Sequence, residues 1–140
     1  LTDSNYLSFH CFAADHISTS RLHTTTEPFS LSGGWYNHSL YRPVGYHFCA
    51  AITRSNLERL NGFDERYASG YCFDDDEFFH RVNLLGLNVQ FVDNPCVVHQ
   101  DHSTMPGRPI PDGSFEANYS LFHHTTKSEN IIRAAKGFVQ

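Results

Sequence analysis

Four consecutive acids, Asp74, Asp75, Asp76 and Glu77, stand directly ahead of Phe78, Val82 and Leu85, and Gly86 closes the run. Carboxylates complement the positive end of a helix dipole, apolar residues at this spacing share one helical face, and glycine supplies the left-handed C-cap. The pattern predicts a helix over 74–85 whose first turn is a cluster of carboxylates. Residues 6–12 alternate Tyr6, Ser8 and His10 against Leu7, Phe9 and Cys11, the period of a strand. The apolar segment 46–52 reads as a buried strand. It runs into Ser55-Asn56-Leu57-Glu58, a capping-box pattern that predicts a short helix stopped by Gly62. Residues 87–92 read as a strand, Asn94-Pro95 as a turn, and Cys96-Val97-Val98 as a short strand delivering His99 and His102 just past its end.

The rest is less regular. Residues 15–39 are rich in Ser, Thr, His and Gly and read as one long loop. A loop of that length in a compact domain is uncommon unless it serves binding, which singles out Trp35 and Tyr36. Residues 105–113 read as irregular and 114–136 as one or two short helices. The expected class is α/β, a small mixed sheet with flanking helices. At 140 residues and 40% hydrophobic content, the chain has material for a single domain over 1–140.

Composition excludes several functions. With a net charge of -5 and ten Lys and Arg forming no basic run, a nucleic-acid partner is not expected. No apolar stretch approaches the ~20 residues that span a bilayer, so no membrane segment is expected in this chain. Cys11, Cys49, Cys72 and Cys96 form no C-x-x-C pair, which argues against a zinc knuckle and leaves disulfides open. The ten histidines leave metal ligation, proton transfer and polar surface as alternatives.

The segment Asn61-Gly62-Phe63-Asp64-Glu65-Arg66-Tyr67, followed by Tyr71-Cys72-Phe73-Asp74-Asp75-Asp76-Glu77-Phe78-Phe79-His80-Arg81, resembles family-2 glycosyltransferases and their galactosyltransferase relatives. Those enzymes carry a G-F-D-E segment, then an acidic pair opening a helix, with Arg six residues after the second acid. Asp75 and Arg81 stand at that spacing, and Asp74 occupies the place usually held by Glu. The resemblance covers about 46–102 and implies the C-terminal, acceptor-side half of an inverting enzyme of the GT-A type. In such an enzyme a carboxylate takes the acceptor hydroxyl proton as that oxygen attacks the anomeric carbon. By resemblance Asp75 is that base and Asp74 binds or orients the acceptor. His99 and His102 stand where such enzymes place a histidine that ligates manganese or magnesium or touches the donor diphosphate. Trp35 and Tyr36 offer an aromatic platform for an acceptor sugar.

No nucleotide-binding βαβ half ending in D-x-D is found in these residues, since Asp74-x-Asp76 opens a helix in register with Arg81. The expected fold is therefore a partial GT-A-like one with the nucleotide-binding half absent. The nucleotide-sugar donor site would come from upstream sequence or a partner chain. The implied substrates are that donor and a carbohydrate or other hydroxyl acceptor. Two other readings stand beside this one: a non-catalytic binding or assembly module retaining the fold, and a metal hydrolase using Asp75, His99 and His102. Asn37-His38-Ser39 and Asn118-Tyr119-Ser120 match the N-glycosylation pattern, which does not fix the compartment.

Overall fold

The structure is a computed structural model that describes residues 1–101 and 112–137. His102, expected beside His99, lies outside the described residues. The chain is mixed α/β. The central strand β1 (Asn5–Ala14) is parallel to β4 (Asn88–His99) along one edge. On its other edge it is antiparallel to β2 (Gly33–Asn37) and to the two-residue β3 (Ala50–Ala51). The flanking helices are α1 (His16–Thr24), α2 (Arg54–Leu60), α3 (Asp74–Leu84) and α4 (Ser114–Leu121).

Four local expectations are corrected. Residues 15–39 are not one loop, because they contain α1 and β2. Asp15 caps α1 by accepting the Ser18 amide at 2.7 Å, and this Ser- and Thr-containing helix buries only Ser18, so it carries no apolar stripe to read. The segment 46–52 is a 3-10 turn (His47–Cys49) followed by β3, not a continuous buried strand. α2 starts two residues earlier than the capping box implied. Thr53 is its N-cap, Ser55 instead donates to Asp3, and Glu58 pairs with Arg54. Finally, β4 runs through Asn94-Pro95, which is a cis peptide, and absorbs the interruption as a register shift against β1.

The expected acidic helix forms as α3, and Gly86 takes φ 78° just beyond it. Its inner face carries Phe78 and Val82 into a core with Tyr6 of β1, Leu60 of α2 and Leu87. Tyr6 lies 6.4 Å from the Phe78 ring and 6.3 Å from Phe79. Arg81 is buried in this interface at 0% exposure. Its guanidinium forks onto both Glu77 oxygens at 2.5 and 2.8 Å and donates to the carbonyls of Leu60 at 2.8 Å and Gly62 at 3.0 Å. One charged side chain thus ties α3 to the end of α2, where Asn61 closes the helix in the left-handed region at φ 60°.

Both sequon asparagines are structural. Asn37, at 0% exposure, donates to Ser8 Oγ at 2.7 Å and to the Phe9 carbonyl at 3.0 Å, and accepts the Gly45 amide at 3.2 Å. Asn118 of α4 donates to the carbonyls of Tyr67 at 3.2 Å and Cys72 at 2.8 Å, and a Cβ on Gly70 would lie 2.3 Å from its Cγ. That contact requires glycine at position 70.

Arg81→Met keeps a long apolar side chain but strands Glu77 as an unpaired buried carboxylate. It is expected to lower unfolding free energy by about 3–5 kcal/mol, measured by urea denaturation against the wild-type chain.

Candidate active site

α3 begins abruptly. Cys72 and Phe73, neither of them glycine, hold φ 61° and 69°, and this left-handed entry turns the chain into the helix with no side-chain cap on its first amides. Non-glycine residues in this region are strained, and such strain concentrates at sites where it fixes a geometry. Here it sets Asp74 and Asp75 on the rim of an open cleft of about 710 Å³. Its walls also include His47, Phe63, Tyr67 and Tyr71. The wall from Tyr67 to Cys72 is held by Asn118, so α4 positions the cleft without lining it. Asp64 anchors the start of this wall, with Arg66 clasping its carboxylate at 2.7 Å and the Ala135 amide donating to it at 3.2 Å.

The three aspartates sit in different surroundings. Asp74 is exposed. Asp76 accepts from the Tyr46 hydroxyl at 3.4 Å. Asp75 is half-buried, with Oδ1 3.1 Å from Nδ1 of His47. Burial pushes the Asp75 carboxyl above the ordinary aspartate range; the imidazole of His47 opposes the shift, and the charges of Asp74 and Asp76 reinforce it. The His47 ring is wedged between apolar partners, 4.6 Å from Phe63 and 5.9 Å from Phe78. His47 was not singled out from sequence. It stands 28 positions before Asp75 with no local pattern linking the two, and only the fold brings them together.

Trp35 and Tyr36, expected as one platform, diverge because neighbouring strand residues point to opposite faces. Trp35 packs with His10 at 4.5 Å, Phe12 at 5.0 Å and His38 at 4.4 Å. Tyr36 packs on Phe48 at 4.6 Å and stacks on His99 at 5.3 Å. Burial, and next the charge of Asp75, raise the Tyr36 hydroxyl above its usual range, so this tyrosine lies within electrostatic reach of Asp75 and in contact with His99. Where β4 ends at His99, α1 braces the chain. Thr19 accepts the Asp101 amide at 2.7 Å, and His23 meets the Gln100 side chain at 2.9 Å. A further group of rings was also missed from sequence. Tyr71, Phe115 and Tyr119 are exposed, and the latter two pack on Phe73 at 5.1 and 5.6 Å beside the α3 entry.

Imidazoles and carboxylates converge twice among the described residues. His10, His38 and Asp93, and separately His47, Asp74 and Asp75, each bring three such atoms within 4.8 Å of one another. In the first group His38 Nδ1 accepts the amides of Leu40 at 3.0 Å and Tyr41 at 3.4 Å, so its neutral ring carries the proton on Nε2. His10 Nδ1 faces the Asp93 carbonyl at 2.9 Å and therefore donates to it. That group is a hydrogen-bonded turn. No such group of three contains His99 among the described residues.

Residues 45–103, which hold His47, the cleft wall, Asp74, Asp75, Arg81 and His99, match a family model described as the N-terminal domain of galactosyltransferase. The matched segment is similar to a glycosyltransferase domain. A 74-residue stretch is also 28% identical to the O-antigen biosynthesis protein RfbC of Myxococcus xanthus. That stretch is 53% of this chain and only 6% of that protein. No solved structure matches the chain. No helix among the described residues is long and apolar enough to cross a membrane.

Because burial holds the Asp75 proton more tightly in the folded state, its ionised form opposes folding above the folded-state pKa. The opposition is absent below about pH 3.9, where the unfolded carboxyl is protonated too. Asp75→Asn is therefore expected to raise the thermal midpoint at pH 7 and to leave it unchanged near pH 3. Scanning calorimetry at the two pH values checks both.

Proposed function

We propose that this domain transfers a sugar from a nucleotide-sugar donor to a hydroxyl acceptor with inversion, Asp75 acting as general base. The observation that carries this reading is a half-buried carboxylate of raised proton affinity on the rim of an open cleft, within the segment that matches galactosyltransferase. The acceptor hydroxyl hydrogen-bonds Asp75. As its oxygen forms the new bond to the anomeric carbon, the proton passes to Asp75, and the bond to the diphosphate breaks with its electron pair leaving on the phosphate. Asp74, exposed beside it, orients the acceptor through neighbouring hydroxyls. Tyr36 lines the approach from the His99 side. Trp35, packed in its own cluster, takes no part.

The resemblance also implies manganese or magnesium on the donor side, which supplies positive charge to the leaving diphosphate. His99 fits as one neutral imidazole ligand at a strand end. Its remaining ligands would come from outside the described residues, in keeping with a donor half supplied by upstream sequence or a partner chain. A cation seated on His47, Asp74 and Asp75 would occupy the lone pair that must receive the acceptor proton. We therefore assign that group to proton transfer. Residues 1–140 alone are expected to bind Mn²⁺ weakly, and tight stoichiometric binding in calorimetric titration would favour the hydrolase reading.

Asp75→Asn in the full-length protein keeps the side chain's shape but removes its proton acceptance. Transfer, assayed across a panel of nucleotide sugars, is expected to fall by roughly 10²- to 10⁴-fold with donor binding little changed. Asp76→Asn alters the same helix end and is the matched control. An equal fall in both would mean that the acidic turn acts as a field, and an undiminished Asp75→Asn would remove the base assignment.

A further inference from the structure

His47 Nδ1 and Asp75 Oδ1 lie 3.1 Å apart, and the imidazole nitrogen is buried and makes no aligned hydrogen bond. At that separation the two atoms attract only with a proton between them, and a proton on Nδ1 would leave the carboxylate ionised. The contact is off the angle of a good hydrogen bond, as pairs awaiting a substrate often are. His47 also lines both the open cleft and a smaller inner cavity of about 170 Å³ that it shares with Tyr6 and Phe78. Phe63 and Phe78 fix the ring plane, which leaves Nδ1 facing Asp75.

We propose that His47 positions Asp75: through Nδ1 it holds the carboxylate ionised and oriented toward the cleft before transfer. The inference rests on the base assignment above. In the full cycle the proton leaves the acceptor oxygen for the carboxylate oxygen of Asp75 that His47 does not hold, and is then lost from Asp75 to solvent through the cleft. Asp75 is thereby returned to the ionised form without a further reactant. His47 touches no reacting atom and is a positioning residue.

The other groups around the pair act in known directions. Burial, and after it Asp74 and Asp76 on the same helix, favour the protonated form of Asp75, and among the described residues His47 favours the ionised form. The Tyr6, Tyr36 and Tyr46 hydroxyls and the Cys72 thiol have their own proton affinities raised, first by burial, with the Asp75 charge adding to it. Arg42 lies over the Tyr36 ring at 5.4 Å and the Tyr46 ring at 5.9 Å. Removing the imidazole therefore moves Asp75 toward protonation at higher pH.

Two variants of the full-length protein test this. His47→Asn places an amide where Nδ1 stood, so it can orient Asp75 but cannot carry a positive charge beside it. His47→Phe keeps the packing on Phe63 and Phe78 and removes the polar contact. In both, the acid limb of the kcat/KM profile is expected to move to higher pH. For His47→Asn, kcat should fall on the order of 10-fold with acceptor KM within about twofold. The Asp75 carboxyl, followed by carbon NMR without any substrate, should titrate at higher pH in His47→Asn than in the wild type. An acid limb and a carboxyl titration that both stay in place in folded His47→Asn would overturn the inference and leave the base assignment standing, provided that Asp75→Asn has lost transfer. Full transfer by Asp75→Asn would overturn both.

Discussion

The fold turns on a guanidinium with no contact with solvent. Arg81 satisfies its donors with Glu77 and with the carbonyls that end α2, and this is the condition under which a charge can be buried at all. The pairing does more than neutralise. It fixes the rotation of α3 about its axis and its height against α2, because a bidentate fork and two carbonyls leave few alternative geometries. Asp75 lies on the same helix, less than two turns away, so its position relative to the cleft wall follows from the same contacts. The strained entry at Cys72 and Phe73 fixes the other end of that short span.

Sequence disclosed this helix because three independent signals agreed: acids in the first turn, apolar residues on one face, and glycine at the stop. β1 was legible from its alternation. α1 was not, since a helix that buries one serine has no stripe, and its only signal was Asp15 as an N-cap ahead of a Ser-rich run. β2 was hidden by its two glycines. Residues 46–52 had strand composition, yet His47–Cys49 form a 3-10 turn, and that turn is what brings His47 to Asp75. Asp75 could be singled out from the resemblance carried by its surrounding motif, whereas His47 beside it could be found only from tertiary structure. Trp35 and Tyr36 show the reverse case: adjacency in sequence suggested a shared role, and strand alternation separates them.

The site is assembled from elements with unequal sequence constraint. The matched segment, 45–103, supplies the carboxylates, His47, the cleft wall and His99. Yet the wall is held in place by Asn118 from α4 and by the Ala135 amide on Asp64, and the end of β4 is braced by α1. These supports lie outside the match and contribute hydrogen bonds through backbone atoms or single polar side chains, so many sequences could provide them.

The burial of Asn37 and Asn118 imposes an order of events. A motif survey of this chain would report two acceptors for N-linked oligosaccharide, but the folded domain presents neither amide, because each is committed to backbone or hydroxyl partners inside the protein. An oligosaccharide could be attached only to the chain before it folds. Once attached to Asn37, it would occupy the space between β1 and the Gly45 turn; on Asn118 it would displace the loop that forms the cleft wall. Either modification would trap an unfinished domain, so folding and glycosylation at these positions are mutually exclusive fates of the same nascent chain.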